Sequence, residues 1–365
     1  MTAPVMIMAG GTGGHIFPAL AVAASLRARA VPVVWLGSRG GMETRLVPRH
    51  GIPLVEVSVS GLRGKGRLAL MAAPFRLLLA LMQALRAQIR HRPRAVLGMG
   101  GFAAGPGGVA AWLLRKPLYI HEQNAIPGMT NRYLARLSRV VMQGFPGSFP
   151  AARAVTVGNP VRQALLALAD PTERLGARRG PLRVLIIGGS LGALKLNRVV
   201  PEALAGLPVR VDVWHQCGAR HLQETEGGYE RAGLTARIEP FIDDMAEAYG
   251  WADVVIARAG ALTVSEIAQV GLASILVPYP HAVDDHQTAN AMNLVSRGAA
   301  RHIADAVLTP RRLQQELGPL LEDRGRLLAM AQAATALRRP DAAEVVAGIC
   351  LGEIDPSAMA GEGGA

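Results

Sequence analysis

The chain of 365 residues is poor in aromatics, at 4%, and holds only two cysteines, Cys217 and Cys350. So few rings argue against a surface that stacks nucleic-acid bases. Two cysteines are too few for a disulfide framework or a cysteine-based zinc site, and a reducing compartment is the simplest context. Acidic residues are the minority charge: 27 Asp and Glu stand against 39 Lys and Arg, a formal net charge of +12. That imbalance suits an anionic partner, whether nucleic acid, acidic membrane or phosphorylated substrate. The first charged residue is Arg27, so no basic leader region and no signal peptide are expected. No solenoid-type repeat is present. H-E-x-x-H is missing, and His281 and His286 are too far apart for one helical face, so no metal site is expected.

The common nucleotide fingerprints are missing too. Gly11-Thr12-Gly13-Gly14-His15-Ile16 lacks the third glycine of G-x-G-x-x-G, and no acidic residue closes the second apolar run, Val33 to Gly37. No G-x-x-x-x-G-K-[ST] occurs, since Gly64-Lys65 is followed by Gly66. NAD and P-loop chemistry are disfavoured, and another phosphate-bearing ligand is favoured.

What is present is a repeated strand–loop–helix unit. PVMIMAGGTGGHIFPALAVA and RVLIIGGSLGALKLN each run from an apolar strand into glycines and then into a helical pattern. Glycines admit a ligand close to the backbone, and the helix start offers free N–H groups and a positive dipole end. Short β-type runs alternate with helical patterns almost throughout. Strands are expected at Val5–Ala9, Val33–Leu36, Leu54–Val57, Ala95–Gly98, Leu118–His121 and Val140–Gln143, then at Val184–Ile187, Val209–Trp214, Arg237–Glu239, Val254–Ala257 and Ile275–Pro278. Alternation of this kind means βαβ units and parallel sheets. At this length two domains are the natural expectation. They are placed at 1–161 plus 340–352 and at 162–339, with a linker from Gly158 to Pro181 and a disordered tail at 353–365.

Two further constellations stand out. Arg258 to Glu266, RAGALTVSE, follows a strand and opens a helix, a seat for a diphosphate. Glu266 there is either an ordinary acid in the field of the helix start or the acceptor for a ribose diol. His121-Glu122-Gln123-Asn124 ends a strand, where open α/β sheets bind ligands, or forms a capping turn. His15 after the first loop is either a phosphate-contacting residue or a general base. Finally, LALMAAPFRLLLALMQAL from Leu68 is apolar but flanked by arginines, interrupted by Pro74 and Arg76, and short of the ~20 residues of a span. It reads as a buried helix, as an interfacial patch on an anionic membrane, or as both on opposite faces.

The blocks GGTGGHIFPALAVA, GLRGKG, GMGGFAAGPGG, HEQNAIPGMTNR, GNPVR, GGSLGA, FIDDM, RAGALTVSE and HAVDDHQTANA, in this order, closely resemble the MurG-type N-acetylglucosaminyltransferases of peptidoglycan synthesis, over essentially the whole chain. The resemblance implies an α/β fold of the GT-B type, two Rossmann-like domains with parallel sheets facing across a cleft. It implies inverting transfer of GlcNAc from UDP-GlcNAc to the MurNAc 4-hydroxyl of lipid I, giving lipid II, without a cofactor. It places the enzyme on the cytoplasmic face of the inner membrane, peripherally, with wall-synthesis and division proteins as partners. For the catalytic proton acceptor that such a transfer needs, His15 is the first candidate, because it follows the first loop, and Glu122 the second, with orienting the acceptor sugar as its other role. Donor contacts fall on Thr12, Gly13, Gly14, Asn124, Arg162, Ser190, Ile242, Ala261, Leu262, Thr263, Val264, Ser265, Glu266, Gln287 and Asn290. Acceptor contacts fall on Arg63, Lys65, Gly100, Gly101, Gly105 and Gly107. Membrane contacts fall on Arg67, Leu70, Met71, Phe75, Arg76, Leu78, Leu79, Met82, Arg86 and Arg90. Two residues depart from the family: Leu191 stands where Gln is common, and Ala259 where Ser is common. A UDP-GlcNAc epimerase on the same fold is the rival enzyme, and a membrane-associated sugar-nucleotide sensor the non-enzymatic alternative.

Overall fold

A computed structural model describes residues 2–59, 73–176 and 178–359. The chain divides into two compact units, Met1–Arg162 with Arg339–Ala365, and Gln163–Arg338.

The first unit carries seven strands: β1 Val5–Met8, β2 Val33–Ser38, β3 Leu54–Val57, β4 Ala95–Gly98, β5 Leu118–Glu122, β6 Val140–Gln143 and β7 Val155–Thr156. All pair in parallel, in the order β3-β2-β1-β4-β5-β6-β7. Both faces are covered, as parallel sheets require. Val5 and Ile7 of β1 enter one apolar cluster while Met6 and Met8 enter the other, the two-residue alternation of a strand. The helix Ala342–Leu351 belongs to this unit and packs Val346, Ala347 and Ile349 into the first cluster.

The second unit has six strands: β8 Leu182–Ile187, β9 Val211–Gln216, β10 Arg237–Glu239, β11 Val254–Ala257, β12 Ala273–Leu276 and β13 Ala300–His302. These too are all parallel, ordered β10-β9-β8-β11-β12-β13. Each sheet therefore winds outward in both directions from its first strand. The order reverses between β1 and β4 in one unit and between β8 and β11 in the other. Open α/β sheets bind ligands beyond the carboxyl ends of the strands at such points.

Three expectations change. The expected linker carries two short helices, Gln163–Leu166 and Pro171–Gly176, and Leu165 and Leu175 are buried. The tail keeps order through Met359: Ile354 and Met359 pack on the first core and a 3-10 turn spans Pro356–Met359. A side chain at Gly348 would displace Ile354, which lies 2.6 Å from where its Cβ would stand. Pro74 does not interrupt a helix either. The described helix Ala73–His91 continues without a break beyond Pro74 and Arg76.

Candidate functional site

Both glycine loops and their partners emerge at the two switch points. In the first unit, β1 runs into Gly10-Gly11-Thr12 and the helix Gly13–Ala28, while β4 runs into Met99-Gly100-Gly101. Gly11, Gly100 and Gly101 have φ of 88°, 94° and 86°, which only glycine adopts at little cost. A Cβ on Gly101 would overlap the Gly10 carbonyl, and one on Gly100 would lie 2.8 Å from the His15 ring. The two loops are thus packed on one another, with His15 between them.

The first loop is held from below by Glu43, the first residue of the helix Glu43–Arg49. Its carboxylate is fully buried. Oε1 accepts from the Ser38 N–H at 2.8 Å and Oε2 from the Gly11 N–H at 3.1 Å. Side chains at Gly10, Gly37 or Gly41 would all run into it. The sequence reading passed over Glu43. The available signal was a lone acid among glycines, GSRGGME, soon after the second strand. Gly13 and Gly14, in the first helical turn, have no intrahelical acceptor for their N–H groups. The side chain of Thr12 makes no cap bond, and Arg162 stacks its guanidinium 4.2 Å over the Phe17 ring. Arg162, placed by sequence in the second domain, belongs to the first unit.

The HEQN segment is buried rather than open. Glu122 is 1% exposed. Its Oε1 accepts from the Asn124 N–H at 2.9 Å and Nδ2 at 3.2 Å, and its Oε2 from the Gly128 N–H at 3.1 Å and Asn131 Nδ2 at 2.9 Å. A carboxylate offers about four acceptor positions, and these donors take them. Glu122 therefore folds the Asn124 turn and is not poised to take a proton, which corrects its place as second candidate for the base. His121 and Gln123 are equally buried and link to His15. Burial lowers the His121 pKa to about 4.

Among the expected acceptor contacts, Gly105 is partly open, but Gly107 faces the sheet, where a Cβ would stand 2.8 Å from Leu36 and overlap Met8. Gly107 permits helix–sheet packing and cannot touch an acceptor. Arg63, Lys65, Arg67, Leu70 and Met71 lie outside the described residues. Along Ala73–His91 the alanines Ala80, Ala84 and Ala87 face inward, whereas Phe75 is 77% exposed and Leu78, Leu79, Met82 and Ile89 are exposed with it. Arg76, Arg86 and Arg90 are exposed on the same helix. Among the described residues nothing covers these apolar side chains, and an exposed apolar patch is the kind of feature that marks an interaction surface.

In the second unit, β8 runs into Gly188-Gly189-Ser190-Leu191-Gly192, with φ of 85° at Gly189 and 77° at Gly192. This loop crosses the Cys217-Gly218 turn that follows β9. A Cβ at Gly192 would overlap the Cys217 carbonyl, one at Gly218 the Leu191 carbonyl, and one at Gly188 would stand 2.5 Å from the Ala193 nitrogen. Neutral groups hold the crossing. Asn197 Nδ2 donates to the Cys217 carbonyl at 2.9 Å, Asn197 Oδ1 meets His215 Nε2 at 3.0 Å, and His215 Nδ1 meets the Tyr229 hydroxyl at 2.9 Å. Burial lowers the His215 pKa to about 3 and raises that of Tyr229. Ser190 and Leu191 point outward, so the departure at Leu191 does not touch the core.

Beyond β11, Gly260 caps the helix Ala261–Val270. The N–H groups of Ala261, Leu262 and Thr263 open its first turn and have no intrahelical acceptor. The Val264 N–H bonds the Gly260 carbonyl at 3.0 Å and its side chain is buried, so Val264 is removed from the expected donor contacts. The Ser265 hydroxyl donates to the Ala261 carbonyl at 2.9 Å. Glu266 is buried, and the Tyr249 hydroxyl donates to its Oε2 at 3.2 Å. Arg258 reaches from the same turn to Asp305 at 2.6 Å and to the Val277 and Pro278 carbonyls. Asn290 is fully buried and donates to the Ala259 carbonyl at 3.1 Å, which makes it a support of the turn and not a surface contact. Gln287 is partly open, and its Oε1 accepts from the Tyr279 N–H at 2.9 Å. The Ile242 side chain is buried, which leaves its backbone as the group a ligand would meet. Among the described residues no cluster of His, Cys, Asp or Glu is arranged to hold a metal ion, and no helix is long and apolar enough to cross a membrane.

Comparison with known proteins agrees with this geometry. Residues 5–143 match the glycosyltransferase family 28 N-terminal domain and residues 183–346 its C-terminal domain. A protein of Alkalilimnicola ehrlichii, the UDP-N-acetylglucosamine--N-acetylmuramyl-(pentapeptide) pyrophosphoryl-undecaprenol N-acetylglucosamine transferase, is 58% identical over 97% of this chain and 99% of its own length. The crystal structure of Acinetobacter baumannii MurG is 43% identical and superimposes with a TM-score of 0.83 over 96% of this chain and all of that one. The chain belongs to the MurG family. Its two Rossmann-like units are the GT-B architecture of MurG and its structural neighbours. A UDP-GlcNAc 2-epimerase of Neisseria meningitidis, 11% identical with a TM-score of 0.67 over 96% of this chain and all of its own, shares the fold alone.

Proposed function

We propose that the protein transfers GlcNAc from UDP-GlcNAc to the MurNAc 4-hydroxyl of lipid I, inverting the anomeric carbon and forming lipid II. The observation that carries this reading is the pair of glycine loops at the switch points, each opening a helix start, in a chain matched end to end by a transferase with that donor and acceptor in its name. The donor's nucleotide is assigned to the second unit. Uracil meets the backbone at Ile242, the ribose diol meets Glu266, and the diphosphate meets Ser190 and the Ala261–Thr263 N–H groups. Thr12, Gly13, Gly14, Asn124 and Arg162 on the first unit meet the donor's sugar end. His15 takes the proton of the attacking hydroxyl. Loop N–H groups, helix starts and Arg162 meet the charge that develops on the departing UDP.

The acceptor is a diphosphate on a long lipid, so the first unit is assigned to the surface of the membrane's cytoplasmic face through Phe75, Leu78, Leu79 and Met82, with Arg76, Arg86 and Arg90 around them. Each cation near an anionic surface contributes about 1 kcal/mol. Vesicle binding is expected to need anionic lipid and to weaken with salt. The deciding assay follows UDP release from UDP-GlcNAc with and without a lipid I analogue. Release is expected only with the acceptor. A C2-epimerised UDP-sugar formed without the acceptor and without net UDP release would put the epimerase reading in its place.

A further inference from the structure

His15 is held by a chain of hydrogen bonds whose direction can be worked out from its ends. Its Nδ1 lies 2.9 Å from Gln123 Oε1. Gln123 Nε2 lies 3.1 Å from His121 Nδ1 and 3.2 Å from the His121 backbone carbonyl. His121 Nε2 lies 2.8 Å from the Gly158 carbonyl. Backbone carbonyls only accept. The Gly158 carbonyl therefore requires a proton on His121 Nε2. His121 has no exposed surface, and its burial disfavours the charged ring, so Nδ1 is left as an acceptor.

That acceptor, together with the His121 carbonyl, calls for a donor on the facing side of Gln123. Its amide NH₂ can turn only one way, and its oxygen then faces His15. An amide oxygen cannot donate, so His15 Nδ1 carries the proton. The Gln123 backbone is held too, since its carbonyl accepts from Asn159 Nδ2 at 3.0 Å. Gly100 presses on the other side of the ring, where any side chain would push it away.

We propose that Gln123 and His121 are positioning residues that keep His15 in its Nδ1–H tautomer, making Nε2 the atom that takes the acceptor's proton. This rests on the reading of His15 as the base. A free histidine side chain favours the opposite tautomer, with the proton on Nε2 and the lone pair on Nδ1, so an unwired His15 would present the wrong nitrogen. The arrangement follows the logic of a serine-protease triad, in which a third group fixes the histidine tautomer. Here a neutral amide replaces the carboxylate, and a second histidine fixes the amide. When Nε2 takes the proton, the imidazolium still donates through Nδ1 to Gln123, so nothing need rotate during the step.

The test is nitrogen NMR on the full chain labelled at its histidine ring nitrogens, at a pH where imidazole is neutral, with a His15→Gln sample to assign the signal. Two-bond couplings tell which nitrogen is protonated. His15 is expected as Nδ1–H and His121 as Nε2–H. His15 found mainly as Nε2–H overturns the proposal without any variant being needed. Gln123→Met should shift His15 toward Nε2–H and lower kcat about tenfold or more while the KM for UDP-GlcNAc holds. Gln123→Glu restores an oxygen facing Nδ1 and should recover the tautomer and part of kcat. An unchanged tautomer in Gln123→Met overturns the wiring. A changed tautomer with full kcat, together with near-normal turnover in His15→Gln, overturns instead the assignment of His15 as the base.

Discussion

The two glycine loops look alike in sequence and differ in what holds them. The first is braced by a charge: Glu43 takes the Gly11 N–H that a phosphate would otherwise use. The second is braced by neutral groups: Asn197, His215 and Tyr229 engage the turn it crosses, and Gln216 Oε1 accepts from the Gly188 N–H at 3.1 Å. A carboxylate fixed against a loop lowers the positive potential that an anion needs there. The first loop is thus better matched to sugar hydroxyls, and the second to a diphosphate. Similar strand–glycine–helix motifs do not make equal phosphate seats; the residue beneath decides.

The largest expected effect comes from making the same change in both loops. Gly192→Ala pushes a methyl into the Cys217 carbonyl at a φ of 77°. It is expected to cost more than about 4 kcal/mol, a backbone clash added to the strain of the left-handed region. Gly11→Ala meets nothing within 4 Å and pays only for its φ of 88°, about 1–2 kcal/mol. Thermal unfolding of the two variants compares them, and equal losses would mean the second loop is not the tighter crossing.

Acid is the next lever. His121 and His215, one in each unit, are neutral when folded, with pKa values lowered by burial to about 4 and about 3. The unfolded chain binds these protons first, near its ordinary value of about 6.5, so stability is full above that pH and falls below it. At 1.36 kcal/mol per unit, the loss is of order 3 kcal/mol for His121 and 5 for His215 by the time each folded pKa is passed. Denaturant midpoints should decline steadily from pH 6.5 to pH 4. Replacing His215 by Gln should flatten the second unit's share of the decline, and an unchanged slope would show that His215 does not supply it.

Removing the two braces separates the loops by function. Glu43→Leu orphans the N–H groups of Gly11 and Ser38, and Asn197→Leu orphans the Cys217 carbonyl and a nitrogen of His215. Each orphaned group costs about 1–3 kcal/mol. In steady-state kinetics Asn197→Leu should raise the KM for UDP-GlcNAc, and Glu43→Leu mainly that for the lipid acceptor. The reverse pattern would undo the comparison. The smallest effect belongs to Leu191→Gln, which restores the residue common in the family at an outward position that is 80% exposed. Stability should stay within about 0.5 kcal/mol, so any larger shift in melting would mean that this side chain packs after all.

β1, β2, β4, β8 and β11 were the most legible strands, because each is a short apolar run ending in glycine or a small residue, the mark of a strand buried on both faces. β7 and β13 were missed: Val155–Thr156 is too short to show a pattern, and Ala300–His302 carries Arg301 at a sheet edge. The glycine loops were legible as ligand-facing elements. Their braces were not, because Glu43 reaches back 32 residues to Gly11 and Asn197 reaches 20 residues to Cys217. By their places in the motifs that resemble the family's, Asn290, Gly107 and Val264 read as contacts and Glu122 as a candidate base. The fold turns each of them inward, to a turn, a carbonyl, a sheet or a helix interior, and motif position alone does not tell inward from outward.

The most direct test of the division between the loops is amide hydrogen exchange of the full chain with and without UDP. Slowed exchange is expected at 188–193, 240–244 and 258–266, where the diphosphate, uracil and ribose are assigned, with 9–14 unchanged until the sugar is present. Protection by UDP at 9–14 with none at 188–193 would contradict the account, because the diphosphate would then sit on the loop that Glu43 braces.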